Sequence, residues 1–292
     1  MIKLANTDLT IYPLCLGGNV FGYSADKDNS EAVLTFYADN GGNFIDTADM
    51  YSQWAPGHIG GESETIIGNW MKKRGNRSQM IIATKVGRLD TKPGLSPSNI
   101  ISACEDSLKR LGSDYIDIYY SHLDDLDTPI EQSLGAYDSL IKAGKVRYIA
   151  ASNFTHERLQ ESLDISKELN LASYIASQDQ YNLMEREYES TLRDVLEKNN
   201  LSQIPFFGLA RGFLTGKYRP GASVESVRAT GVSNAYGNER GWTMLEKLDQ
   251  IAKERKTSIA SISLAWLRAQ RTVAAPIASA TKLEQIKEIM PI

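Results

Sequence analysis

The run LCLGGNVFG (14–22) is where the fold of this chain is decided. It is the first long apolar run after a polar start. If it opened a doubly wound dinucleotide-binding sheet, the strand would end in GxGxxG, whose glycines make the tight turn and let backbone approach a pyrophosphate. The glycines here fall at 17, 18 and 22, and that spacing fails. Beyond residue 22 the chain settles into a long alternation. Strand-like runs recur at NFID (43–46), MIIATK (80–85), YIDIYYSH (115–122), VRYIAAS (146–152), YIASQDQ (174–180), IPFFGL (204–209) and VAAPIA (273–278). Most are apolar without strict alternation, as in strands covered on both faces.

Helix punctuation lies between them. Ser30 precedes EAVLTFYADNG as an N-cap candidate, with Gly41 as the stop. Ser96-Pro97 opens a segment that closes at Leu111-Gly112, and Pro129 stands in the same relation to IEQSLGAYDSLIKAG. Eight strand–helix units predict a (β/α)8 TIM barrel, one domain over 1–292, with KLANTDLTIYP (3–13) as a short N-terminal β-hairpin over the barrel floor. The segment from 211 to 240 has five glycines and no clear periodicity, and is expected to be a long loop.

The bulk composition excludes several classes. Charged residues make up 23% of the 292 residues and the net charge is only −4, with no basic block, which argues against nucleic acid or an anionic membrane as partner. Cys15 and Cys104 are the two cysteines and form no CxxC, so neither a disulfide framework nor a thiolate metal site is expected. No signal-peptide pattern opens the chain and no window of about 18 apolar residues occurs, so a cytoplasmic protein without a membrane span is expected. The helical outer ring offers no apolar patch that would mark an oligomer interface.

In a barrel of this kind functional groups gather at the C-terminal ends of the strands. Those ends are Asp46, Lys85, His122, Ser152-Asn153, Gln178 and Phe206. Asp46, Lys85 and His122, with Tyr51 five residues after Asp46, suit protonation of a carbonyl oxygen. A nearby ammonium should lower the phenol's pKa, a carboxylate should keep that ammonium charged, and an imidazole can orient the carbonyl. The bland readings stay open at this point: a structural Asp46–Lys85 ion pair, a loop tyrosine, one of fourteen, and a core histidine. Of the three histidines, His122 alone ends a strand.

FIDTADMYS (44–52) followed by GGESETIIG (60–68) resembles the aldo-keto reductase motif, a strand ending in DTAxxY and then GxSExxxG. ATKVG (83–87), DYIDIYYSHLDD (114–125), GKVRYIAASNF (144–154), QDQYN (178–182) and LARGFLTGKY (209–218) continue the likeness in order. The resemblance implies a (β/α)8 barrel, NADP(H) as cofactor, and hydride transfer from nicotinamide C4 to an aldehyde or ketone. It implies a catalytic tetrad of Asp46, Tyr51, Lys85 and His122, with Tyr51 as general acid. It further implies that Ser152, Asn153 and Gln178 hold the nicotinamide carboxamide, that Phe206 stacks on the ring, and that Leu209, Arg211, Gly212 and Lys217 surround the pyrophosphate. Gly18 and Asn19 would touch the nicotinamide ribose side, Asp46 would also bind the cofactor, and Ser279, Lys282 and Gln285 would hold the phosphate and adenosine. Phe21, Tyr23 and Trp54 would wall the substrate pocket. No arginine follows the eighth strand and Ile289 replaces an asparagine frequent there, so NAD(H) is a second candidate cofactor. The resemblance also implies a last helix running on past MPI (290–292).

Two other functions compete with a carbonyl reductase. One is a nicotinamide-binding regulatory or scaffold subunit with little turnover. The other is a cofactor-free lyase using Lys85 as a Schiff-base amine, against which a charged Asp46 beside it argues.

Overall fold

The computed structural model describes residues 1–224 and 229–290. The chain opens with an antiparallel hairpin of β1 (Ile2–Lys3) and β2 (Thr10–Ile11), as expected from KLANTDLTIYP. In chain order there follow β3 (Cys15–Gly17), α1 (Lys27–Asp39), β4 (Phe44–Asp46), α2 (Glu62–Arg74) and β5 (Ile81–Val86). A second small hairpin, β6 (Arg88–Leu89) and β7 (Lys92–Pro93), precedes α3 (Pro97–Leu111), β8 (Ile116–Ser121), α4 (Ile130–Lys142), β9 (Val146–Ser152), α5 (His156–Glu168) and β10 (Tyr174–Gln178). The rest is α6 (Leu192–Asn199), β11 (Ser202–Gln203), α7 (Ala229–Tyr236), α8 (Glu239–Arg255), α9 (Ile259–Arg268), β12 (Ile277–Ala278) and α10 (Leu283–Ile289).

Eight strands form one parallel sheet in the order β11-β10-β9-β8-β5-β4-β3-β12. Its two ends meet. Gln203 N–H donates to Thr272 C=O at 2.8 Å, Ala274 N–H to Gln203 C=O at 2.9 Å, and Ile277 N–H to Pro205 C=O at 2.9 Å. The sheet therefore closes into a (β/α)8 barrel with the helices outside.

Strand side chains alternate faces, and that period of two sorts the core. Phe44, Ala83, Ile118, Tyr120, Ala150, Ala176 and Ile204 fill the interior, while Ile45, Ile82 and Tyr119 pack outward under the helices. Leu4, Leu9 and Ile11 of the N-terminal segment join the interior cluster, so the hairpin plugs the barrel floor. Each such buried aliphatic contributes roughly 1.5–3 kcal/mol, more than any single cap or turn, so burial sets the register.

Local details differ from the sequence expectations in four places. The N-cap of α1 is Asp26, whose Oδ1 accepts from Asn29 N–H at 2.8 Å; Ser30 lies inside the helix, its Oγ donating to Asp26 C=O at 2.6 Å. Helix α3 does start at the Ser96 cap with Pro97 first and ends at Gly112. The seventh strand is Ser202–Gln203 rather than 204–209, because Pro205 has no N–H to continue the ladder and Phe207 turns to φ 52°. Only Ile277–Ala278 of VAAPIA is strand, since Pro276 interrupts the run. The segment from 211 to 240 contains α7, which buries only Val232 and Tyr236 and so shows no periodic stripe in the sequence; its residues 225–228 lie outside the described residues. Among the described residues no helix is long and apolar enough to cross a membrane.

Candidate active site

Three adjacent strands bring the titratable groups together. On the interior face Phe44 is followed by Asp46, Ala83 by Lys85, and Ile118 by Tyr120 and then His122, each a step of two toward the C-terminal rim. Asp46 sits in register with Ala83, and Lys85 with Tyr120. Lys85 is fully buried. Its Nζ donates to both Asp46 carboxylate oxygens at 2.7 Å, to Thr47 C=O at 2.8 Å and to the Tyr51 hydroxyl at 3.0 Å. Tyr51 Oη also donates to Asp46 Oδ2 at 3.2 Å, and Gln178 Nε2 donates to Asp46 Oδ1 at 2.9 Å. An unpaired ammonium at this depth would cost several kcal/mol; the bidentate carboxylate offsets that. An amine so held has no free lone pair for Schiff-base chemistry.

The electrostatics of the site depart from one expectation. Burial, the Asp46 charge and its hydrogen bond push the Tyr51 phenol well above its ordinary value, against a smaller pull from the Arg88 charge. Lys85 was expected to lower the phenol, but burial and Asp46 dominate, so the phenol is neutral. Burial likewise pulls Lys85 below its ordinary value, against the raising effect of Asp46. His122 is held well below the usual imidazole range by burial, then by the charges of Lys85 and Arg88. It is therefore a neutral imidazole at neutral pH, with a buried Nδ1 that has no hydrogen-bond partner among the described residues. The Tyr51 and His122 ring centroids lie 6.0 Å apart.

Beside this cluster the ends of β9 and β10 form a polar patch. Asn153, at φ 57°, donates from Nδ2 to His122 C=O at 3.0 Å and to Ser152 Oγ at 2.9 Å; Ser152 Oγ donates to Gln178 C=O at 2.7 Å. Phe206 is half-buried against the interior cluster and packs edge-on to Phe207 with centroids 5.1 Å apart. Farther round the rim, Phe207, Ala210 and Arg211 all have left-handed backbone, at φ 52°, 47° and 57°, followed by Gly212 at 100°. Each non-glycine residue in that region costs on the order of 1 kcal/mol, and such strain clusters at functional loops. Exposed Arg211 lies 4.8 Å over the Phe207 ring, and Leu209 is partly buried against the core. A Cβ on Gly212 would meet only the Lys217 side chain at 3.6 Å, so that side of the loop is open.

The remaining predicted residues divide. Ser279 Oγ donates to Asn19 Oδ1 at 2.6 Å, tying β12 to the turn after β3. Gln285 Oε1 accepts from Thr281 N–H at 2.7 Å, and Lys282 is exposed at the start of α10. Gly18 is buried, and a Cβ there would meet Ser63 Oγ at 2.8 Å and Asp46 C=O at 3.0 Å, so close packing already requires its glycine. Tyr23, Trp54 and Tyr51 form a chain of rings with successive centroids 5.9 and 6.0 Å apart. Phe21 does not join them: it is fully buried in the outer core and offers no surface, because Ser52 Oγ bonds its carbonyl and folds the turn inward.

The model of the aldo/keto reductase family matches residues 13–291 of the chain. The chain belongs to that family. Protein tas of Escherichia coli (strain K12) is 30% identical over 312 residues, covering 98% of this chain and 90% of the relative. L-glyceraldehyde 3-phosphate reductase of the same organism is 30% identical, covering 92% and 80%. A probable voltage-gated potassium channel subunit beta of Oryza sativa subsp. japonica is 31% identical, covering 99% and 89%.

Two charged residues of this aldo/keto reductase family member were not anticipated. Asp49, between Asp46 and Tyr51, is buried with neither carboxylate oxygen hydrogen-bonded among the described residues. Its pKa is pushed up to about 7, first by burial and then by the Glu64 charge. Arg88 stands exposed just beyond β5. Arg88 was findable by extending the strand-end rule three residues past Lys85. Asp49 lies inside the DTAxxY motif but gave no signal of its own.

Proposed function

We propose that this chain is an NADP(H)-dependent oxidoreductase that reduces an aldehyde or ketone to the alcohol, with NAD(H) as second candidate cofactor. The observation that carries the reading is Lys85 Nζ bridging Asp46, at 2.7 Å, and the Tyr51 hydroxyl, at 3.0 Å, with the neutral His122 ring alongside. A bound reduced nicotinamide supplies the hydride. Tyr51 acts as general acid. Its hydroxyl turns from Asp46 Oδ2 to the carbonyl oxygen and gives up its proton. The phenolate left behind is stabilised by the Lys85 ammonium, which Asp46 keeps charged. His122, already neutral, donates one hydrogen bond to the same oxygen and fixes the carbonyl's direction.

The rim chemistry fits an extended dinucleotide. Ser152, Asn153 and Gln178 supply amide and hydroxyl groups for a carboxamide, and Phe206 an aromatic face. Leu209, Arg211, Gly212 and Lys217 form the pyrophosphate position, where a cation on an open left-handed loop suits an anion. Gly18 and Asn19 border the nicotinamide ribose, Asp46 also binds the cofactor, and Ser279, Lys282 and Gln285 hold the adenosine and its phosphate. Tyr23 and Trp54 wall the substrate. One barrel domain spans 1–292, in the cytoplasm.

The test is purified protein with NADPH and a panel of aldehydes and ketones, followed by the absorbance of reduced nicotinamide. Oxidation that depends on both protein and carbonyl is expected. Tight NADPH binding with no turnover on any carbonyl would instead favour a regulatory subunit, the reading suggested by the rice relative's name.

A further inference from the structure

The site has a charged neighbour that proton transfer leaves unused. Arg88 starts the β6–β7 hairpin, exposed to solvent, with no ion pair or hydrogen bond of its guanidinium among the described residues. That hairpin is clamped to the loop carrying Tyr51. Gln53 Nε2 donates to Asp90 Oδ1 at 3.3 Å, and Asp90 N–H donates to Gln53 Oε1 at 3.2 Å. Leu89 closes on Gly60, where an added Cβ would come within 2.6 Å of Leu89 Cδ1. Arg88 follows Lys85 by three residues at the same strand end, on the hairpin tied to the Tyr51 loop, and its charge is felt at both Tyr51 and His122. Trp54 of the same loop stands between the rings of Tyr51 and Tyr23.

The other two basic groups of the cluster do not offer a free charge to a substrate's anion. Lys85 is held by both Asp46 oxygens, and His122 is neutral. The carboxylate two residues beyond Arg88 in the same hairpin, Asp90, is engaged by the Gln53 amide. A guanidinium offers five donors in a planar fork matched to carboxylate and phosphate oxygens. Left unpaired beside a carbonyl-protonating phenol, it is placed for the remote end of a substrate.

We propose that Arg88 determines substrate specificity by binding an oxyanion, a carboxylate or phosphate, carried a few atoms from the carbonyl that is reduced. This rests on the reductase reading above. Arg88 holds the anion and does not touch the reacting carbonyl, so its contribution falls on KM.

The test compares matched pairs: succinic semialdehyde against butanal, and glyceraldehyde 3-phosphate against glyceraldehyde, with wild type, Arg88→Gln and Arg88→Lys. The wild type should prefer the charged member of at least one pair in kcat/KM. Arg88→Gln should shrink that preference by about 10- to 100-fold through KM, the worth of a charge-assisted hydrogen bond or two, and Arg88→Lys should restore part of it. A loss confined to the first pair identifies a carboxylate substrate, and one confined to the second a phosphate. An unchanged preference overturns the proposal. So does an equal loss on charged and neutral members through kcat, which would mean that Arg88 acts only on Tyr51 and His122. If the wild type turns over none of the four, titration calorimetry with succinate and inorganic phosphate decides for Arg88, while the wider panel of aldehydes and ketones decides the reductase reading separately. Binding present in wild type and lost in Arg88→Gln supports the anion site, and its absence or indifference to the variant overturns it.

Discussion

Replacing Asp49 by Asn should stabilise the protein, and should do so increasingly as pH rises. Asp49 is 1% exposed, neither of its oxygens has a hydrogen-bond partner among the described residues, and its pKa stands at about 7 against 3.8. The unfolded chain therefore ionises Asp49 first and binds fewer protons than the folded one between those two values. Stability contributed by the protonated carboxyl is whole below the unfolded value, falls as pH rises through the window, and is fully lost above the folded value. A shift of this size corresponds to about 4 kcal/mol at alkaline pH and about 1.5 kcal/mol near pH 5. Asn has the same shape and cannot ionise, so the variant escapes the penalty. The gain from Asp49→Asn should thus grow by about 2–3 kcal/mol from about pH 5 to about pH 8, less whatever the new amide loses by being unpaired. The assay is urea unfolding of both proteins at the two pH values. A difference between variant and wild type that stays constant with pH, or turns against the variant at pH 8, would refute the reasoning.

Lys85→Met leaves the Asp46 carboxylate buried without its cation and should destabilise the fold by about 3–5 kcal/mol, read as a fall in thermal midpoint; adding Asp46→Asn should recover part of the loss. Gly68, in α2, faces the backbone of α3, where a Cβ would lie 2.4 Å from Arg110 C=O; Gly68→Ala should cost roughly 1–3 kcal/mol in urea unfolding. Gly135→Ala, in the open on α4, should gain about 0.5–1 kcal/mol in the same measurement. His122, lowered by burial, Lys85 and Arg88, should stay a neutral imidazole at a pH where a free histidine in the unfolded chain protonates, observable by NMR of its ring nitrogens.

Much of the fold was legible because the middle strands obey simple rules. VRYIAAS is strand over its whole length, and FID, IIATKV and IDIYYS lie within a residue or two of their apolar runs. The failures have physical causes. IPFFGL has the composition of a strand, yet after the Ile204 and Phe206 N–H bonds to the neighbouring segment the left-handed Phe207 turns the chain away. Helix α7 hid because only Val232 and Tyr236 are buried in it. At the candidate site, the rule that functional groups gather at the C-terminal strand ends named Asp46, Lys85 and His122 together without any knowledge of contacts. The sign of the Tyr51 shift was beyond reach, since it depends on how deeply the phenol is buried and how close Asp46 comes. The burial of Phe21 was beyond reach for the same kind of reason: an aromatic residue near a rim carries no mark of which way it faces.

The most direct test of the account is NADPH oxidation by wild type and by Tyr51→Phe, at saturating cofactor, with a carbonyl substrate drawn from the panel. NADPH affinity, followed by its fluorescence on binding, should be the same within about twofold, because the Tyr51 hydroxyl is not among the groups proposed to hold the cofactor. The reduction rate should fall by about 10²–10⁴-fold, the usual worth of a general acid. Wild-type protein that binds NADPH but oxidises none of it, or a Tyr51→Phe variant that turns over as fast as wild type, would contradict the account.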